Sequence, residues 1–269
     1  MNPSSELRAE PWLLQRREGP VAFVTLNRPA RYNALSGGMM AALHAAFDAL
    51  ATDAAVRVVV LAGAGKAFCA GHDLNEMQAN PRLDYYQRLF DECSRLMMRI
   101  QTLPQPVIAR VQGVATAAGC QLVATCDLAI AAEDARFAVS GVNVGLFCAT
   151  PSVALSRNMS RKGAFEMLVT GEFIDAPAAV QRGLLNRCVP AGRLDQEIHT
   201  LAASIVAKPP SAIAAGKALF YRQIELGVQG AYQLAGQSMA CGMMDGVAQE
   251  GVLAFIEKRA PAWDRGPST

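Results

Sequence analysis

The chain has 269 residues, of which 52% are hydrophobic and 18% charged, and its formal net charge is +2. That length and apolar content can bury a large core, which excludes disorder as the default state. The small net charge and the absence of any basic block exclude an electrostatic nucleic-acid or membrane-surface partner, and no apolar run approaches the roughly 20 residues needed to span a bilayer.

Residues 12–17 and 21–26 read as two short strands joined at Glu18-Gly19-Pro20, a turn signal. Ser36 can cap a helix running to about residue 53, in which Met39, Leu43, Phe47 and Leu50 make one apolar face. Residues 56–62 form a continuous β-branched run, as expected of a strand buried on both faces. A second helix is predicted over 85–100, with the stripe Tyr86, Leu89, Cys93, Leu96 and Ile100, and Pro104 and Pro106 end it. A buried strand follows at 107–111, then a Gly/Ala stretch, a short helix around 119–126 and a strand at 128–132. From about Arg161 the pattern is almost wholly helical. Alternating strands and helices argue for an α/β core with largely parallel strands, and the helical last third for an appendage or assembly surface.

Seven cysteines, an odd number without a C-x-x-C, indicate a reducing compartment and no disulfide framework. Residues 1–11 carry two glutamates and no apolar signal core, and read as neither a secretory signal nor a transit peptide. The expectation is a soluble cytoplasmic protein.

The three histidines, His44, His72 and His199, form no H-E-x-x-H and no zinc-ligand spacing, so no metal site is predicted. Gly63-Ala64-Gly65-Lys66 is not a phosphate loop, because Ala67 follows the lysine where Ser or Thr is required. Nor is there a G-x-S-x-G nucleophile elbow.

Two glycine-rich turns remain: Lys66-Ala67-Phe68-Cys69-Ala70-Gly71-His72-Asp73-Leu74, and Gly113-Val114-Ala115-Thr116-Ala117-Ala118-Gly119-Cys120-Gln121-Leu122. Each places small residues where a strand ends, which lets a ligand approach the backbone. The second also leads into a helix N-terminus, with its free N–H groups and partial positive charge. Taken singly, each such turn is more often only a tight turn in a packed core. Together, two converging backbone N–H groups could hold a developing oxyanion.

In this order and at this separation the pair resembles the two oxyanion-hole segments of the crotonase (enoyl-CoA hydratase/isomerase) superfamily. Leu26-Asn27-Arg28-Pro29 with Asn33-Ala34-Leu35 is similar to that family's first signature. Pro106-Val107-Ile108-Ala109, Cys126-Asp127-Leu128-Ala129, Leu168-Val169-Thr170-Gly171 and Gln249-Glu250-Gly251 agree further along, so the likeness spans about residues 12–264. Gly71-His72-Asp73-Leu74 and Gly141-Val142-Asn143-Val144-Gly145-Leu146-Phe147-Cys148 look like a divergent branch labelled enoyl-CoA hydratase domain-containing.

The resemblance implies an α/β fold, a spiral of β-β-α units over 1–205 that holds an acyl-CoA site. A helical region over 206–269 would associate the chain into a trimer or a dimer of trimers. It implies an acyl-CoA thioester as partner, with CoA part of the substrate and no permanently bound cofactor. The hole donors fall on the backbone N–H groups of His72 and Ala118. The two glutamates that position water in family hydratases fall on Gln121 and Gly141, and the aspartate of some dienoyl-CoA isomerases on Ala149. Glutamine can hydrogen-bond water but cannot take its proton, and glycine can do neither; losing one positioned acid/base group typically costs about 10²–10⁴ in rate. CoA contacts are implied for Arg31 (beside the usual cationic position, Ala30), for Asp73, Leu74 and Asn75 along the CoA path, and for Phe255 and Lys258. Three readings stay open: an acyl-CoA enzyme of the lyase or isomerase class with unorthodox acid/base groups, a catalytically silent thioester-binding protein, and a nominal hydratase working through Gln121 and water. The bulk of the loop Gly145-Leu146-Phe147-Cys148 predicts a restricted or strongly apolar acyl pocket.

Overall fold

The computed structural model describes residues 10–264, and the leader reading of residues 1–9 lies outside them. Strands β1 (Leu13–Glu18) and β2 (Val21–Leu26) form the expected hairpin, paired from Leu13↔Leu26 to Glu18↔Val21. β1 exposes all but Leu13, and its charged outer residues suit an edge strand. Helix α1 (Gly37–Thr52) starts where Ser36 accepts a hydrogen bond from the Met39 N–H, and it buries Met39, Leu43 and Phe47. Strand β3 (Val58–Gly63) is buried at every position and begins two residues later than predicted.

The next elements alternate between two sheets. β4 (Ala67–Cys69) precedes helices α2 (Leu74–Ala79) and α3 (Leu83–Thr102). β5 (Val107–Val111) and β6 (Val114–Thr116) precede α4 (Ala118–Thr125), and β7 (Leu128–Ala132) and β8 (Arg136–Ala138) precede α5 (Ala149–Asn158). α6 (Arg161–Thr170), β9 (Ile174–Asp175), α7 (Ala176–Gln181), β10 (Arg187–Val189) and α8 (Leu194–Val206) follow. The larger sheet has the order β1-β2-β3-β5-β7-β10, parallel throughout except for the first hairpin. The smaller has the order β4-β6-β8-β9, with only β9 antiparallel. This mixed α/β arrangement agrees with the expected fold class. The almost wholly helical pattern expected after Arg161 agrees with α6, α7, α8 and the helices that follow them, and is interrupted by β9 and β10, whose two and three residues are too short to show a period of two.

The chain divides into two compact units between Ala202 and Ala203, within α8. The first holds both sheets. The second contains α9 (Pro210–Gln223), α10 (Val228–Met243) and α11 (Gly246–Ile256), and leaves Val228, Tyr232, Met239, Met244, Phe255 and Ile256 exposed. No helix of the described residues is long and apolar enough to cross a membrane.

Candidate active site

The site is built where β4 and β6 end. These strands are parallel neighbours, with Cys69 opposite Ala115, so the turns that leave their carboxyl ends lie side by side. The turns interlock backbone to backbone. A Cβ on Gly119 would lie 2.0 Å from the carbonyl oxygen of Cys69, and one on Gly113 would lie 2.0 Å from that of Lys66. Gly71 has φ +90°, and a Cβ there would meet the Ala117 Cβ at 2.9 Å and the Ala118 nitrogen at 3.1 Å. Side chains pin the same junction. The Thr116 hydroxyl donates to the Ala70 carbonyl at 2.9 Å, and Gln112 Nε2 to that of Ala67 at 2.9 Å. Fully buried Asn33 reaches the carbonyls of Ala64, Ala67 and Phe68 from Nδ2, while its Oδ1 accepts from the Arg28 N–H. Asn33 does so from a left-handed backbone, φ +55°, which asparagine tolerates.

His72 and Ala118, to which the resemblance assigns the donor roles, lie on either side of this junction. His72 pairs with Leu35 as an isolated bridge formed by the Leu35 N–H to the Gly71 carbonyl and the Asp73 N–H to the Leu35 carbonyl, neither of which uses the His72 N–H. Ala118 is the first residue of α4, where an N–H has no acceptor within the helix. Among the described residues neither N–H has a protein acceptor. Both residues line a cavity of about 240 Å³ with Met77, Phe90, Ser140, Gly141, Leu146, Phe147 and Cys148. Ala117, just before the helix, has φ +49° and ψ −120°, a region that glycine populates and alanine does not.

The side chains around the cavity are poor proton carriers. The His72 ring packs edge-on against Phe90 at 5.3 Å, and its Nε2 is buried without a partner. Burial pulls its pKa down to about 4, so the imidazole is neutral at pH 7. Gln121 is buried on α4 and is not among the residues that line the cavity, and its Oε1 likewise lacks a protein partner. Burial pushes the Cys148 thiol up, and that of neighbouring Cys120 up to about 12, so both stay protonated.

Gly141 is the second residue of the turn from Ser140 to Val144. Its N–H donates to Cys148 Sγ at 3.3 Å, and its carbonyl accepts from the Leu146 N–H at 2.9 Å. A Cβ at 141 would lie 2.3 Å from the Leu146 carbonyl oxygen and 2.7 Å from Cys148 Sγ. The room a side chain at 141 would need is thus filled from further along the same loop. Nothing in the sequence pattern marked this role for Cys148.

The remaining candidates are placed as follows. Asp73 caps α2, accepting from the Asn75 and Glu76 N–H groups, and pairs with Arg28 at 3.2 Å. Arg28 in turn sits over the Trp12 ring at 4.8 Å. Sequence reasoning missed this Arg28–Asp73 link, although Asp73 with Glu76 three residues later is a helix-start signal that would have found α2. Leu74 lines the cavity and is largely exposed, Asn75 is exposed, and Arg31 is exposed in the short turn Pro29–Arg31. Phe255 and Lys258 lie in the second unit, at the end of α11 and just beyond it. No group of three or more His, Cys, Asp or Glu side chains converges among the described residues.

With this geometry in hand, comparison places the chain. Residues 16–266 match the enoyl-CoA hydratase/isomerase family. The chain belongs to that family. The enoyl-CoA hydratase domain-containing protein 3, mitochondrial, of Xenopus laevis is 44% identical over 98% of this chain and 90% of its own length. A crystal structure of the human domain-containing protein 3 is 41% identical, covers 94% of this chain and 100% of its own, and has a TM-score of 0.88. One of a Mycobacterium smegmatis enoyl-CoA hydratase is 62% identical, covers 95% and 100%, and has a TM-score of 0.93. These findings correct the cytoplasmic placement, because the vertebrate relatives are named mitochondrial. Free thiols ask only for a reducing environment, and cysteine usage does not tell one such compartment from another.

Proposed function

We propose that this crotonase-family protein binds an acyl-CoA thioester with its carbonyl oxygen between the N–H groups of His72 and Ala118, and that it does not add water by the two-glutamate route. The observation carrying this reading is the pair of uncommitted backbone N–H groups at one cavity wall, one of them at the N-terminus of a buried helix. A thioester held there has its carbonyl polarised, which acidifies the α-carbon and makes the β-carbon of a 2-enoyl chain electrophilic. Such donors stabilise an enolate whichever way it forms; the groups that move the proton choose the reaction. At 121 and 141 those groups are an amide and a hydrogen atom.

A second reading, a catalytically silent thioester-binding protein, is favoured by the packing of Leu146 and Cys148 against Gly141, which leaves no room for a carboxylate from that position. In either reading CoA arrives with the acyl group, and no resident cofactor is required. Arg31, Asp73 to Asn75, Phe255 and Lys258 are the proposed CoA contacts. The exposed apolar side chains of α10 and α11 are of the kind buried by self-association, as a trimer or a dimer of trimers. Residues 1–205 are proposed as the acyl-CoA core and 206–269 as the assembly region.

Two measurements on the purified chain test the reading: calorimetric titration with crotonyl-CoA, and the spectrophotometric rate of its hydration. Binding in the micromolar range is expected, with hydration at least about 10²-fold slower than in a two-glutamate relative. Hydration at that relative's rate would refute the missing-carboxylate argument. Failure to bind would refute the hole.

A further inference from the structure

We propose that the acyl chamber selects by charge, taking a short, uncharged acyl group and rejecting one that ends in a carboxylate. This rests on the reading of His72 and Ala118 as the thioester donors. Beyond the two turns, the wall is made chiefly by Met77, Phe90, Val144, Leu146, Phe147 and Pro151. Among the described residues no Lys, Arg, Asp or Glu lines it. The one side chain in the wall able to become a cation, His72, is held neutral by burial. Its Nε2 has no protein partner, and no acid pairs with its ring to draw a proton onto it. The remaining side-chain polar groups in the wall are the Ser140 and Thr150 hydroxyls and the protonated Cys148 thiol.

A carboxylate carried into such a chamber loses water and finds no counter-charge. Hydroxyls compensate only part of that loss, because an ion buried without an opposite charge is among the costliest groups to desolvate. A hydrocarbon chain of the same length gains from the same wall. Size acts in the same direction. At about 240 Å³ the chamber is below the usual range of small-molecule pockets, roughly 300–1,000 Å³, so it suits a few carbons. A long chain could return a distal carboxylate to solvent past exposed Val144 and Leu146, so the comparison is made with a short one.

The test compares butyryl-CoA with succinyl-CoA, which share four acyl carbons, by calorimetric titration of the full chain, with free CoA as the third ligand. Butyryl-CoA is expected to bind at least about tenfold tighter than succinyl-CoA. Equal affinities, both above that of free CoA, would overturn charge selection and leave the thioester reading standing. If neither acyl-CoA exceeds free CoA, the thioester reading itself falls, and this inference with it. A Val144→Arg variant adds a cation at an exposed position of the wall, where folding is not at stake. It should move the affinity ratio towards succinyl-CoA by at least about threefold; an unmoved ratio would also overturn charge selection.

Discussion

At the turns after β4 and β6, glycine lets two backbones meet. In the loop after β8, it lets a carbonyl and a thiol from the same loop move into the space of a side chain. The first arrangement places Gly119 against the Cys69 carbonyl and, among the described residues, leaves the N–H groups of two cavity-lining residues without a protein acceptor; the second places Leu146 and Cys148 against Gly141. The difference separates two kinds of chemistry. A function made by backbone N–H groups survives the exchange of side chains, and so tolerates His at 72 and Ala at 118. A function made by side chains at 121 and 141 does not survive Gln and Gly there. On the proposed reading, the same fold keeps an oxyanion site while its proton-transfer groups are lost.

The largest expected effect breaks the first arrangement. Gly119→Ala must push a backbone carbonyl aside, and no flexible side chain can yield in its place. We expect a stability loss of about 3 kcal/mol or more in urea denaturation, with loss of crotonyl-CoA binding. A variant as stable as the parent would mean that the two turns are not interlocked.

The next effect concerns the side chain that the backbone site carries. His72 has its folded pKa lowered from 6.5 to about 4, so between those values the unfolded chain binds a proton that the folded chain refuses. Stability therefore rises with pH through this window and is lost on acidification from pH 6.5 towards pH 4, by on the order of 3 kcal/mol. His72→Leu should flatten that part of the profile in urea titrations at pH 7, 5.5 and 4.5. A profile unchanged by the substitution would show that the imidazole reaches water.

The loop gives a smaller effect. Gly141→Glu should cost about 2 kcal/mol, because the turn can open towards solvent where Val144 and Leu146 are already exposed. It should not create hydration, even combined with Gln121→Glu, because the new carboxylate leaves with the opened loop. Rapid crotonyl-CoA hydration by the double variant would show that the loop accepts a glutamate in place.

Much of this was legible before the structure. Met39, Leu43 and Phe47 show the α1 face by spacing alone, the Ser36 cap lies where its type predicts, and the run around Val58–Gly63 declares a strand buried on both faces. The three-residue strands β4, β6 and β8 carry no readable period, although they bring the two turns together. Glycine spacing marked the two turns, because close backbone approach needs room, while the assignment of His72 and Ala118 as donors came from the family resemblance. What stayed hidden depends on pairs distant in sequence: Arg28 with Asp73, and Asn33 with three carbonyls more than thirty residues away. Cys148 against Gly141 stayed hidden for another reason: a thiol in an apolar run reads as core until its neighbour is known.

The smallest effect lies at Ala117, where the two arrangements touch. Its N–H donates to the Ala138 carbonyl at 2.9 Å, tying the turn to β8, and its own carbonyl accepts from Gln121 within α4. Both bonds survive substitution by glycine, so Ala117→Gly changes backbone strain and backbone entropy alone. Holding a non-glycine residue in so sparsely populated a region costs about 1–3 kcal/mol, and a glycine gives back roughly 0.5–1 kcal/mol through its greater freedom when unfolded. The net expectation is a gain of about 1 kcal/mol in denaturation. Thioester affinity should fall at the same time, since the freed peptide no longer holds the Ala118 N–H at one angle. Stability and affinity moving in opposite directions would show the strain to be part of the oxyanion site; moving upward together, they would show it to be incidental to packing.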